Sequence, residues 1–203
     1  MRQAIVISLF DHSTNMVRPW ADAEFLCYCV DAKHGTGEQK EGNIIRVGAN
    51  IPDWLPPYAE VKILFAFPPC THVAVSGARW FRDKGLGALV EALRLFDAAL
   101  RLAEWTKAPY FIENPVSTVS TYWRKPDYMF NPCDYGGYGN EREDAYTKKT
   151  CLWTGNGFIM PQTKWIEPVE GSRMHRVGPS SERASLRSVT PTGFAQAYLK
   201  QIT

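Results

Sequence analysis

Apolar and polar residues come in blocks along this chain, and the blocks alternate. Residues 4–10 (AIVISLF) are almost wholly apolar, the pattern of a strand buried on both faces. Residues 11–15 are polar and predict a loop. Residues 16–23 predict a helix, with Pro19 in its first turn, where a missing N–H does no harm. Residues 25–30 predict a second strand, which ends at Asp31. Residues 32–42 are polar and contain glycine, so a solvent loop is expected, followed by a third strand over 43–47 and a proline-rich connection over 52–58. The central apolar run starts at Ile63 and stops at Pro68-Pro69, because proline cannot donate to a sheet ladder. Residues 86–107 are rich in Leu and Ala, with Leu89, Leu93, Phe96, Leu100 and Ala103 at helical spacing. Residues 108–116 then repeat the earlier design of short apolar strand, polar groups and proline.

Strand, helix and strand over 63–116 form a β-α-β unit, whose crossover is right-handed by rule. Its topology delivers Cys70 and Glu113 to the same edge of neighbouring parallel strands. Open α/β sheets take their ligands at that carboxyl edge. A nucleophile and a carboxyl group facing one crevice form a chemical constellation. The opening order of strand, loop, helix, strand and acid is half of a Rossmann arrangement. Asp31 then stands where an acid takes a ribose hydroxyl pair, or where an ordinary turn aspartate sits. The expected fold is α/β, a Rossmann-like doubly wound and mostly parallel sheet. It forms a single domain over 1–203, with a loop-rich aromatic insertion over 115–144.

Composition narrows the function classes. The chain has 203 residues, 45% hydrophobic and 22% charged, and a formal net charge of +2. That is ordinary for a globular domain. It permits nucleic-acid binding through a local patch and does not announce it. Five cysteines with no Cys-x-x-Cys spacing argue against a disulfide framework and a zinc site, and four scattered histidines add no metal site. Cys27 and Cys29 point to one face of a strand and are expected in the core. No signal peptide and no apolar run near twenty residues is present, so no membrane association and a cytoplasmic location are expected.

Pro68-Pro69-Cys70, then Ser76-Gly77, then Glu113-Asn114 at the end of the next strand resemble the catalytic core of cytosine-carbon-5 DNA methyltransferases. The resemblance implies the S-adenosylmethionine-dependent methyltransferase type of sheet. It implies that Cys70 attacks carbon 6 of a pyrimidine and that Glu113 binds the base edge. Carbon 5 then takes a methyl group from S-adenosylmethionine. It further implies a lid over 71–87, and glycine hinges with mixed aromatic and basic residues suit one. Leu9-Phe10 and the following helix match the family's opening frame, yet the loop glycines are replaced by Asp11-His12-Ser13-Thr14-Asn15. The cofactor set is then Phe10, Asp11, His12, Ser13, Asp31, Asn50 and Pro68. The substrate set is Pro69, Ser76, Arg79, Asn114, Trp123, Arg124 and Lys125, in which aromatics interleaved with basic residues suit base stacking. Residues 146–155 read as a strand that opens with arginines in the family; here Lys148 falls on the first and Thr150 on the second. Lys148 or Lys149 is the expected assisting cation.

Residues 161–181 are polar and irregular. Arg183 to Arg187, Thr190-Pro191 and a helix over 192–199 resemble the family's closing segments. Only about thirty residues separate the lysine strand from that helix, too few for an independent target-recognition domain. Two functions compete. One is a minimal, phage-type pyrimidine carbon-5 methyltransferase acting on DNA, RNA or a free nucleotide, with a protein partner for targeting. The other is a methyltransferase-fold binding protein or decoy. The same cysteine chemistry with another alkyl donor ranks below both.

Overall fold

A computed structural model describes residues 4–172 and 189–202. The chain divides into two compact units, one of Met1–Met129 with Thr150–Phe158, the other of Phe130–Lys149 with Ile159–Thr203.

The sheet strands, numbered along the chain, are β1 (Ile5–Leu9), β2 (Leu26–Val30), β3 (Gly37–Glu41), β4 (Ile44–Gly48), β5 (Val61–Ala66), β6 (Tyr110–Pro115), β7 (Tyr128–Phe130) and β8 (Thr150–Gly155). Their spatial order is β3-β4-β2-β1-β5-β6-β8-β7. The five strands β4, β2, β1, β5 and β6 are mutually parallel. The chain starts in the middle, winds outward to β4, then returns across β1 to wind the other way. That reversal makes the sheet doubly wound, with a switch point between β1 and β5. β8 runs antiparallel to β6, and β3 antiparallel to β4.

The helices are α1 (Arg18–Asp22), α2 (Phe81–Thr106), α3 (Val119–Tyr122), α4 (Glu141–Asp144) and α5 (Thr192–Ile202). Alternation along the strands gives each sheet face its cover. Ile5, Ile7, Leu9, Leu64, Ala66 and Ile112 share one buried cluster with Phe96, Ala99 and Ala103 of α2. Phe65 on the opposite face meets Trp20 of α1 at 5.9 Å and Phe111 at 5.0 Å between ring centroids. Cys27 and Cys29 are buried as expected, and burial pushes the Cys27 thiol up to about 12.

Two expectations are corrected. The segment 32–42 is not all loop: Gly37–Glu41 pairs with β4 as an edge strand, every residue of it exposed. Arg46 and Glu41 join across that pair at 3.0 Å. The connection 71–87 is largely helical: a 3-10 turn spans Val75–Trp80 and α2 begins at Phe81. Gly85 (φ 75°, ψ 175°) breaks α2 after its first turn, a conformation essentially reserved for glycine.

In the second unit, Phe130, Tyr135 and Phe194 pack as an aromatic cluster. Asp144 accepts the Gly193 N–H at 2.6 Å and so caps α5. Arg183 to Arg187 lie outside the described residues. No helix among the described residues is long and apolar enough to cross a membrane.

Candidate active site

The chain leaves β5 at Ala66, passes the buried Pro68 and the exposed Pro69, and reaches Cys70. Cys70 is half-buried, whereas Cys27, Cys29, Cys133 and Cys151 are buried. The last register pair of β5 and β6 is Ala66 with Ile112, so Glu113 and Asn114 follow at the same edge. Asn114 is fully buried and donates its Nδ2 to the Pro68 carbonyl at 3.0 Å. That bond fastens the proline turn to the neighbouring strand.

Three further links lengthen the clasp. Val75 N–H donates to Val116 O at 2.9 Å, Thr118 N–H to Val73 O at 2.9 Å, and Ala74 bridges Ser117. Residues 68–75 and 114–118 therefore run side by side. Among the described residues, His72 Nδ1, Asn114 Oδ1, Ser117 Oγ and Thr118 Oγ1 are buried without a hydrogen bond from the protein. Buried polar atoms normally find partners, so this crevice carries hydrogen-bonding capacity that the fold itself does not use. Lys84 Nζ donates to Thr71 O at 2.6 Å, which ties the first turn of α2 to the cysteine loop. Sequence reasoning missed His72 and Ser117; the polar residues flanking Cys70 and Asn114 were the only available signal.

At the edge of β1, the loop without glycine keeps glycine-like backbone. Phe10 has φ 57° and Thr14 φ 61°, values costly for residues with a Cβ. The Asp11 carboxylate holds them there. It accepts Ser8 Oγ–H at 2.8 Å, Ser13 Oγ–H at 2.9 Å and Thr14 N–H at 2.8 Å. Burial raises its pKa against the lowering effect of those bonds. Asp11 is thus directed into its own loop, while His12 and Ser13 are exposed. The His12 and His34 rings lie 5.1 Å apart. Burial lowers the His34 pKa from its ordinary value.

Asp31 follows β2, and its Oδ1 accepts Lys33 N–H at 2.8 Å. Asn50 follows β4, exposed, and its amide donates to Asp53 at 2.8 Å. The loop 10–13, Asp31 and Asn50 thus stand after the ends of β1, β2 and β4. A carboxylate and an amide are the group types that can hydrogen-bond a diol and a base edge.

The expected substrate residues separate into two groups. Ser76 and Arg79 are exposed on the 3-10 turn, with the Arg79 guanidinium over the Trp80 ring at 5.1 Å. Trp123 and Arg124 are engaged structurally. Trp123 meets Phe96 at 5.9 Å, and Arg124 lies over its ring at 4.5 Å. Arg124 also bonds Asp127 at 2.7 Å and Thr154 O at 3.0 Å. Lys125 is exposed. Lys148 and Lys149 belong to the second unit, the first buried and the second exposed. No group of three His, Cys, Asp or Glu among the described residues is placed to hold a metal ion.

No model of a known protein family matches the chain. No curated protein matches it either. Among solved structures it is similar to the CcbJ methyltransferase from Streptomyces caelestis, at 13% identity and a TM-score of 0.33. The likeness covers 62% of this chain and 48% of that one, so this chain spans about half the length of that protein. The fold assignment rests on the strand order and the parallel pairing of the central strands.

Proposed function

We propose that this chain alkylates carbon 5 of a pyrimidine through a covalent adduct on Cys70. The supporting observation is the Asn114–Pro68 hydrogen bond. It locks a proline-proline-cysteine turn against the Glu113-Asn114 strand end, on the ligand side of a doubly wound sheet. A buried asparagine spent on a backbone carbonyl fixes Cys70 relative to β6, and fixed geometry is what an attacking thiolate needs.

In this proposal the Cys70 sulfur adds to carbon 6 and pushes electron density to carbon 5, a poor nucleophile until then. The Glu113 carboxyl holds the base at ring nitrogen 3 and the exocyclic amine, and so orients the ring. S-adenosylmethionine, held by Asp31, Asn50 and the loop 10–13, supplies an electrophilic methyl carbon when bound. Water then takes the carbon-5 proton, and the electron pair left behind restores the ring double bond as the sulfur leaves as a thiolate.

The test is intact-mass analysis after incubation with a 5-fluorocytosine substrate and S-adenosylmethionine. The fluorine cannot leave as the proton does, so the adduct stalls. The expected product is protein plus base plus methyl, absent in Cys70→Ser. An unchanged mass with DNA, RNA and nucleotide alike rejects the proposal. One observation favours the binding-protein alternative: Asp11 closes the first loop on itself. A thermal shift with S-adenosylmethionine separates the two, since a ligand that binds only the folded state raises the melting temperature.

A further inference from the structure

We propose that the α2 face bearing Leu86, Val90 and Leu93 is the interface of a homodimer with twofold symmetry. Leu86 and Val90 are 80% and 64% exposed, unusual for apolar residues one turn apart on one stripe. Farther along the same stripe lies an apolar groove of about 230 Å³ between α2 and α3. Leu93, Phe96, Leu100, Val119, Tyr122 and Trp123 line it together with Asp97, whose carboxylate pairs with Arg101, and Tyr122 is 81% exposed. One helix face therefore carries a ridge at its start and a groove toward its middle.

The spacing makes that face complementary to itself. Leu86 precedes Leu93 by two helical turns, and Leu100 follows it by two. An antiparallel copy with its axis at Leu93 sets each Leu86 level with the other copy's Leu100. The ridge of each copy then enters the groove of the other, the isologous geometry of a twofold interface. Nucleic acid fits this face poorly. Arg94 and Arg101 beside the stripe are paired with Glu91 and Asp97 of the same helix, so neither is a free phosphate ligand. Trp123 of the groove was expected in the substrate set, but the alkyl-transfer scheme above uses none of Leu86, Val90, Leu93 and Trp123, so the dimer stands or falls independently of that scheme.

Sedimentation equilibrium over a concentration series is the first measurement. Reversible dimerisation is expected, weakened about a hundredfold in Leu86→Glu/Val90→Glu. Both positions are exposed, and an unchanged circular dichroism melt shows that this variant folds. In a Cys70→Ser background, Leu93→Cys should oxidise to a covalent dimer and Trp105→Cys, off the stripe, should not. A monomer at every concentration overturns the proposal. So does a dimer that the double variant leaves intact. DNA binding by a monomeric protein that the double variant abolishes also overturns it, and assigns the face to nucleic acid instead.

Discussion

Asp11 stands in a loop without glycine, and its carboxylate supports by hydrogen bonding the backbone that glycine adopts without help. Its raised pKa has a consequence with a definite sign. The folded chain keeps the proton at a pH where the unfolded chain, near the ordinary value of about 3.9, has lost it. Stability from this group is therefore lost as pH rises from that value through the folded one, and is flat above. Asp11→Asn should remove that segment from the difference between the two stability profiles, measured by thermal melts from acid to neutral pH. Parallel profiles would mean that Asp11 titrates normally. Cys70 leads to a second expectation at this scale. Four cysteines are buried and Cys70 is half-buried, so iodoacetamide on the native protein should add a single label, mapped to Cys70. Cys70 and Glu113 were legible because prolines mark strand ends. The inward turn of Asp11 was not, since nothing in a polar loop states which way an acid points; Ser8, polar within an apolar strand, was its only trace.

Among the elements, the β5 and β6 ends carry the clasp. Asn114→Ala removes a buried donor and leaves the Pro68 carbonyl without it, a loss of about 1–3 kcal/mol by denaturant titration. Stability within a few tenths of wild type would show that the clasp does not depend on this bond. Gly85→Ala should cost about 1–3 kcal/mol, because its φ and ψ fall where a Cβ is not tolerated. A variant as stable as wild type would mean that the first turn of α2 simply realigns. The buried parallel strands were readable from unbroken apolar runs. β3 was not: GEQKE has no apolar alternation, and the strand exists because β4 offers it a partner. The start of α2 was set too late because Gly85 and Gly87 resemble loop residues, while the helix simply breaks at Gly85 and continues.

For the molecule as a whole, a near-neutral charge and the short stretch between β8 and α5 bear on substrate form. Phosphate contacts supply most non-specific affinity, and Arg124 is already committed to Asp127 and Thr154. The isolated chain should show little sequence preference on duplex DNA. Binding assays on duplex, single strand and free nucleotide at one salt concentration test this, and strong site-specific duplex binding would contradict it. The doubly wound order was legible as far as β6. Beyond β6 the strand that became β8 was legible over 146–155, but its antiparallel return beside β6 was not, because tertiary pairing rather than local pattern sets it. That return also has a cost in time. During synthesis β6 is made roughly forty residues before its neighbour β8. At ~5–20 residues per second the ribosome leaves that edge of the nascent sheet unpaired for a few seconds. Tyr110, Phe111 and Ile112 lie along it, and an open apolar edge invites the wrong strand. The interval exposes β6 to mispairing while the chain is being made.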